Sequence, residues 1–228
     1  MNRIEDAMNS ALRAKQEVGR PSKAFWRGSL MGGCLRAHWY DSTGVQGQTF
    51  DDGTLRLFER GHIVSDTVNK LLSESGMFNS FEMEVPISYP LYDFAGNIDA
   101  VVNWKNGGYT EILEYKSVRQ RALGYLKDVK PEHAIQAALY SIVYTIQAVS
   151  PIRVPARVVY FAADDLETRE FPIGEEWYER AWRVLNVAKR LKEDDRIPPR
   201  LPGASERKYP CGYCKFKAVC LGEERTNG

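Results

Sequence analysis

Residues 95–116 read AGNIDAVVNWKNGGYTEILEYK. Two apolar, β-prone runs, 95–104 and 109–116, flank Asn106-Gly107-Gly108, a triplet with the chemistry of a hairpin turn. Antiparallel pairing across that turn sets Asp99 opposite Glu114 and Lys116. The last two are two residues apart and share one face of their strand, with Tyr115 pointing the other way. A carboxylate inside an apolar strand carries a desolvation cost on the order of several kcal/mol unless it is paired or bound to a metal. Two carboxylates and a lysine therefore converge on one sheet face. Hard oxygen donors of this kind suit Mg²⁺ or Mn²⁺. Such an ion polarises a phosphoryl oxygen and activates a water, and Lys116 is placed to orient that water or to stabilise developing negative charge.

Upstream, the period of the pattern changes. Phe81, Met83, Val85 and Ile87 alternate with Glu82, Glu84 and Pro86, which predicts a strand with those four on one face. Before it, Asp51 or Asp52 caps a helix predicted over 53–74, with Leu57, Ile63 or Val64, Val68 and Leu71 or Leu72 on its apolar face and an end before Gly76. Ile4, Met8 and Leu12 predict a helix over 3–18, and residues 29–40 a short helix or turn around Cys34. Downstream, Pro131 opens a helix whose apolar run reaches Val149. Residues 156–162 read as a buried strand or half of a hairpin. Trp177, Ala181, Trp182, Leu185 and Ala188 mark a helix over 175–193, and a proline-rich stretch leads into the tail. The predicted fold class is α/β, a central mixed sheet flanked by helices, and not a run of βαβ repeats.

The chain has 228 residues, 43% hydrophobic and 27% charged, with a net charge of +1. Its mean hydropathy is −0.42. These values fit a globular chain and exclude a disordered one. No run of apolar residues is long enough to span a bilayer, and the N-terminus lacks a secretory pattern, so a cytoplasmic location without a membrane partner is expected. Charge is unevenly spread. Residues 41–114 hold 12 acidic and 4 basic residues, whereas residues 180–228 hold 12 basic and 6 acidic. An acidic middle between basic ends suits a cation-gathering site flanked by phosphate-binding surface.

His62 lies on the long helix ahead of these strands, and imidazole is an acceptable further ligand for Mn²⁺. His38 and His133 have no such context and read as structural or surface residues. The four cysteines are Cys34 and the tail trio Cys211, Cys214 and Cys220. In a cytosolic chain a disulfide is disfavoured, and one four-thiolate site, zinc or iron–sulfur, accounts for all four. Lys208, Lys215, Lys217 and Arg207 lie close by in sequence and suit DNA phosphates.

In order, Gly61-His62, Gly96-Asn97-Ile98-Asp99, Glu114-Tyr115-Lys116 and Gln136-Ala137-Ala138-Leu139-Tyr140 resemble the motifs of the PD-(D/E)xK nuclease superfamily, and within it the RecB-like exonucleases. The resemblance implies a restriction-endonuclease-like core. It implies a catalytic metal held by His62, Asp99, Glu114 and the carbonyl of Tyr115, with Lys116 as the catalytic lysine and Gln136 and Tyr140 helping to position DNA. Ile98 stands where proline is common in the wider superfamily. One upstream cysteine plus a C-terminal trio is similar to the CRISPR-associated RecB-like exonucleases and their phage-encoded relatives, as is Ser29-x4-Cys34-x-Arg36. That likeness implies a 4Fe–4S cluster, where spacing alone also allows zinc. The cluster would clamp the N-terminal segment to the tail. By analogy with a cross-link, closing so long a loop contributes on the order of 5 kcal/mol. The expected organisation is one nuclease domain over 1–228, a catalytic core at 50–195, and a cluster subdomain from 25–40 and 205–222. The expected activity is metal-dependent exonucleolytic cleavage of single-stranded or frayed DNA ends, in CRISPR adaptation beside an integrase or in phage recombination. The alternative is a non-catalytic adaptor that binds DNA ends.

Overall fold

Gly107 and Gly108 adopt positive φ, +94° and +63°, and so let the chain reverse where a side chain would be strained. The reversal joins β3 (Phe94–Trp104) to β4 (Thr110–Val118) in the predicted antiparallel register, Val101 opposite Ile112 and Ala100 opposite Leu113. A computed structural model describes residues 3–18, 24–205, 207 and 210–222. The remaining elements in chain order are α1 (Arg3–Val18), β1 (Trp26–Arg27), α2 (Gly28–Met31), α3 (Leu35–Ser42), α4 (Asp52–Glu74), β2 (Phe78–Tyr89), α5 (Gln120–Tyr125), α6 (Pro131–Gln147), β5 (Ala156–Ala162), β6 (Thr168–Pro172), α7 (Glu175–Glu193) and α8 (Lys217–Gly222).

The sheet is mixed. β2 and β4 run antiparallel to β3, β5 runs parallel to β4, β6 closes a hairpin with β5, and the two-residue β1 lies parallel to the start of β3. α6, with α7 against it, covers one face, where Ile98, Val101, Ile112, Val158, Leu139 and Leu185 form the larger core. α4 covers the other, with Val64 and Val68 against Ala100, Val102, Leu113 and Tyr115. This is the α/β arrangement expected, a mixed sheet between helices. Among the described residues no helix is long and apolar enough to cross a membrane.

The helix signals were local and held. The Asp51 side chain accepts the Thr54 N–H at 2.8 Å and starts α4, and Gly76, at φ +70°, lies just past its end. Pro131 occupies the first turn of α6. Which side chains are buried was less local. Leu57 on α4 is exposed, and so are Ile4 and Met8 on α1. α1 meets α4 through polar groups instead. Arg13 pairs with Asp52, Lys15 with Glu59, and Arg56 bonds the buried Asn9.

The β2 pattern also needs correction. Phe81 packs beneath α4, yet Val85 and Ile87 face α6. Residues four apart should share a face. Glu84, between them, has φ +49°, and this left-handed residue flips the strand's phase. β3 flips at the same level. Ile98, paired with Val85, faces α6, whereas Val102, paired with Phe81, faces α4.

His38 and His133 are structural, as expected. His38 Nε2 accepts the Arg27 N–H at 2.9 Å, and Trp26 packs edge-on against its ring. His133 Nδ1 lies 2.8 Å from the Tyr160 hydroxyl, which accepts the Lys130 N–H at 3.0 Å and so turns its own proton to the imidazole. Burial holds both rings neutral, their pKa values pushed down to about 3. Because the folded value lies below the unfolded one near 6.5, the stability they contribute is full above that pH and lost as pH falls toward 3. The expected loss is up to about 1.4 kcal/mol per pH unit per ring. Urea unfolding of wild type and His38→Gln between pH 7 and 4 checks this, since the variant should show the shallower pH dependence.

Candidate active site

The site exists because β4 leaves β3. Their ladder spans only Ala100 to Asn103. Two residues beyond Leu113, the Tyr115 N–H that would continue it donates instead to Asp99 Oδ2, at 2.6 Å. β2 occupies the opposite edge of β3 along its whole length, so β1, paired at Phe94 and Ala95, takes the edge that β4 has vacated. Gly96, Asn97, Ile98 and Asp99 lie between the two partners. The motif seen in the sequence is therefore the open mouth of a fork in the sheet. A strand residue points its N–H and C=O to the same side, so the Tyr115 carbonyl also faces this fork.

Glu114 lies beside Asp99 and is only 1% exposed. Its Oε1 accepts Lys116 Nζ at 2.7 Å, while its Oε2 is buried without a hydrogen-bond partner. Burial pushes the Asp99 carboxyl well above the ordinary range, and the neighbouring Glu114 charge adds to this. Burial raises Glu114 as well, against the pull of Lys116. Burial alone would lower the Lys116 ammonium, but Glu114 and Asp99 outweigh it and keep the lysine charged. Two crowded carboxyls and one orphaned oxygen are the donor chemistry that a divalent cation requires, so these residues fit such an ion.

Lys116 is held from behind. Its Nζ donates to Gln136 Oε1 at 3.0 Å, and Gln136 Nε2 donates to the Tyr140 hydroxyl at 3.2 Å. Both partners are buried on α6, one turn apart. The sequence reading had them positioning DNA. In the fold Gln136 bonds the lysine, Tyr140 bonds Gln136, and both side chains are buried. Glycines make room for this chain. A Cβ on Gly96 would lie 2.6 Å from the Tyr140 ring, and one on Gly28 only 2.1 Å from it. A Cβ on Gly32 would stand 1.9 Å from the Glu132 carbonyl oxygen. Gly28-x3-Gly32 thus lets α2 approach α6 closely, a signal present in the sequence and passed over in its reading.

His62 is exposed on α4, one residue from Gly61, whose Cα faces the Ser117 hydroxyl of β4. It sits over the end of the strand that carries Lys116. Among the described residues, no three His, Cys, Asp or Glu side chains stand close enough to enclose a metal ion as they are. The four cysteines lie within electrostatic reach of one another. The Cys34 thiol, raised chiefly by burial, also feels Cys220 and Cys211, and Cys214 feels the other three. Around them Asp41 bridges Arg27 and Lys215, the Gln48 N–H meets the Lys215 carbonyl at 2.7 Å, and Arg36 reaches the Pro198 carbonyl at 2.9 Å. These ion pairs and hydrogen bonds join the N-terminal segment to the C-terminal part of the chain. Lys215, expected at phosphates, is engaged by Asp41, and Lys208 lies outside the described residues.

Glu84 is the site neighbour that sequence reading missed. The register places it level with Asp99, between the pairs Met83–Ala100 and Val85–Ile98. Its charge is felt by Asp99, Glu114 and Tyr140. Strict alternation hid it, because it sits at the phase flip.

The sequence profile of the PD-(D/E)XK nuclease superfamily matches residues 12–221. The chain belongs to this superfamily. A solved structure with the same fold is that of SSO0001, 17% identical, with a TM-score of 0.57 over 97% of each chain. A Eubacterium rectale protein provisionally named an exonuclease is 12% identical, with a TM-score of 0.45 over 77% of this chain and 79% of that one. No curated protein sequence matches the chain.

Two outcomes follow from this packing and charge. Gly96→Ala should cost about 1–3 kcal/mol by overpacking Tyr140, whereas Gly124→Ala, in open space on α5, should be neutral or gain about 0.4–1 kcal/mol; thermal melts read both. Protons compete for Asp99 and Glu114 at higher pH than for ordinary carboxyls, so in the metal-free fold these groups lose stability as pH rises above about 4. A bound divalent cation should offset this, so the Mn²⁺-induced rise in Tm should grow with pH.

Proposed function

We propose that this member of the PD-(D/E)XK nucleases is a metal-dependent deoxyribonuclease that trims DNA exonucleolytically, preferring single-stranded or frayed ends. The observation that carries this is the Asp99–Glu114–Lys116 group in the sheet fork, with a charged lysine locked by Gln136. Asp99, Glu114, the Tyr115 carbonyl and His62 are the residues proposed to hold Mg²⁺ or Mn²⁺. When bound, that ion supplies Lewis acidity toward a phosphoryl oxygen and lowers the pKa of a coordinated water. The protein's own share is orientation and charge. Lys116, protonated and fixed by Glu114 and Gln136, offers its remaining N–H to the attacking water or to a phosphoryl oxygen. It acts as a hydrogen-bond donor and not as a base, because two carboxylates keep its proton in place.

The same proposal extends to the cysteines. Cys34, Cys211, Cys214 and Cys220 ligate a 4Fe–4S cluster, with zinc as the competing occupant, and residues 25–40 and 205–222 form its subdomain against a catalytic core at 50–195. That Cys34 and Cys214 each sense the charge of other cysteines in this set supports it. The biological setting that the motif likeness favours is the cytoplasm of a cell carrying CRISPR adaptation or phage recombination, with an integrase or recombination protein as partner.

The test is digestion of end-labelled single-stranded DNA with Mn²⁺ or Mg²⁺ by anaerobically purified protein. Glu114→Ala and Lys116→Ala should each lower the rate by at least about 10²–10⁴-fold. Metal-dependent cleavage retained in both would overturn the assignment. DNA binding without turnover by folded wild type would leave an adaptor that holds DNA ends. Iron, sulfide and zinc contents of the same preparation, lost together in Cys214→Ser, decide the occupant of the thiol site.

A further inference from the structure

Residues 117–130 leave the site at Lys116 and return to it at α6, whose Gln136 bonds that lysine. The segment carries Arg119, Arg121, Lys127 and Lys130, all exposed, and none is in an ion pair with a described residue. Within the segment only Asp128 opposes them in charge, and the neighbouring carboxylates Asp164 and Glu167 are taken up by Gln120. At its turn stands Tyr125, 74% exposed, a ring that stacks on no other aromatic ring among the described residues and faces water at the end of α5.

The backbone beneath these side chains is pinned. Leu123 is buried in the larger core. Arg169 donates to the Leu126 carbonyl at 2.5 Å, the Gln120 side chain donates to Glu167 at 2.6 Å, and the Lys130 N–H meets the Tyr160 hydroxyl at 3.0 Å. An unpaired cation costs little in water, yet four of them with one aromatic ring on a rigid segment beginning at the site lysine do nothing for the fold. Lys130 and Lys116 both act on His133, so the far end of the segment returns electrostatically close to the site.

We propose that this segment is the track that holds the substrate strand beside the sheet fork, with Arg119, Arg121, Lys127 and Lys130 on consecutive phosphates and Tyr125 stacked on an unpaired base. The inference rests on the nuclease reading above and names the surface that delivers its substrate. A single strand is the favoured ligand, because a base must be unstacked to lie on a tyrosine, and stacking of this kind tolerates any sequence. The cations also solve a problem the fork creates: its carboxylates repel a phosphodiester, and flanking positive charge offsets that repulsion before the cation engages.

The test is fluorescence anisotropy of a labelled single-stranded oligodeoxynucleotide in EDTA, where cleavage is off, over a series of salt concentrations. Replacing all four cations by Ala should weaken binding and reduce the log–log salt slope by about 3, at about 0.7 per phosphate contact on a single strand. Tyr125→Ala should weaken binding about 5- to 150-fold with the slope unchanged, and Tyr125→Phe should restore it. Lys70→Ala, exposed on α4, is the charge control. Wild-type affinity and slope in the fourfold variant, or tighter binding of a blunt duplex than of a single strand, would overturn the proposal. Glu114→Ala separates the two readings. Lacking one of the carboxylates that repel a phosphodiester, it should bind DNA at least as tightly as wild type but not cut it; if it cuts, the catalytic assignment fails while the binding result stands.

Discussion

One hydrogen bond decides this architecture: the Tyr115 N–H given to the Asp99 carboxylate in place of a main-chain carbonyl. A buried backbone donor must be satisfied, and the sheet would normally satisfy it. Here a side chain does so, and β3 and β4 are free to part. Everything at the site follows from the parting. Asp99 is fixed by an edge donor, Glu114 is carried in on the departing strand, and the Tyr115 carbonyl faces the gap. The phase flip at Glu84 and Ile98 occurs at the same level, so both strands on the β2 side rotate their side chains where β4 departs.

The parting places like charges together, and Lys116 is what makes this tolerable. Removing a carboxylate from water costs several kcal/mol, and two of them repel as well. The lysine compensates Glu114 directly but leaves one oxygen of that group without a partner. A hydrophobic isostere would pack here at lower cost. The arrangement fits the proposed site, whose electrostatics a cation would complete, on a scaffold rigid enough to hold the donors. Gln136 and Tyr140 supply that rigidity, and their burial is the reason they can.

What was legible in the sequence was what short-range chemistry determines. The turn at Gly107-Gly108, the cap at Asp51, the proline at the start of α6 and the two-residue spacing of Glu114 and Lys116 each carry their meaning within a few residues. Counting outward from the turn set Asp99 opposite the Glu114–Lys116 pair. What was not legible depends on partners distant in sequence. Phe81 and Val85 face different helices because of one left-handed residue, and no alternation rule anticipates that. Ile4 and Met8 have helical spacing, but the polar surface of α4 is what α1 meets. Gln136 and Tyr140 were assigned to DNA from the motif likeness, and the bond from Lys116 to Gln136 spans twenty residues, beyond what spacing shows.

The cysteines and the lysine are joined by continuous packing. The tail holds the N-terminal segment through Asp41 with Arg27 and Lys215, and through Tyr40 against Phe216, with ring centroids 5.6 Å apart. That segment contains β1, which fills the edge of β3 beside the fork, and α2, whose Gly28 lies against the Tyr140 ring. Tyr140 accepts from Gln136, and Gln136 holds Lys116. A short strand of two residues cannot stay in a sheet by its own hydrogen bonds. It needs an anchor, and the tail provides one through Asp41, Gln48 and Tyr40. The tail's grip on this segment therefore does more than close a long loop. It keeps in place the wall against which the lysine's support is packed, so the tail's contribution to stability and the geometry of the site are one problem in this fold.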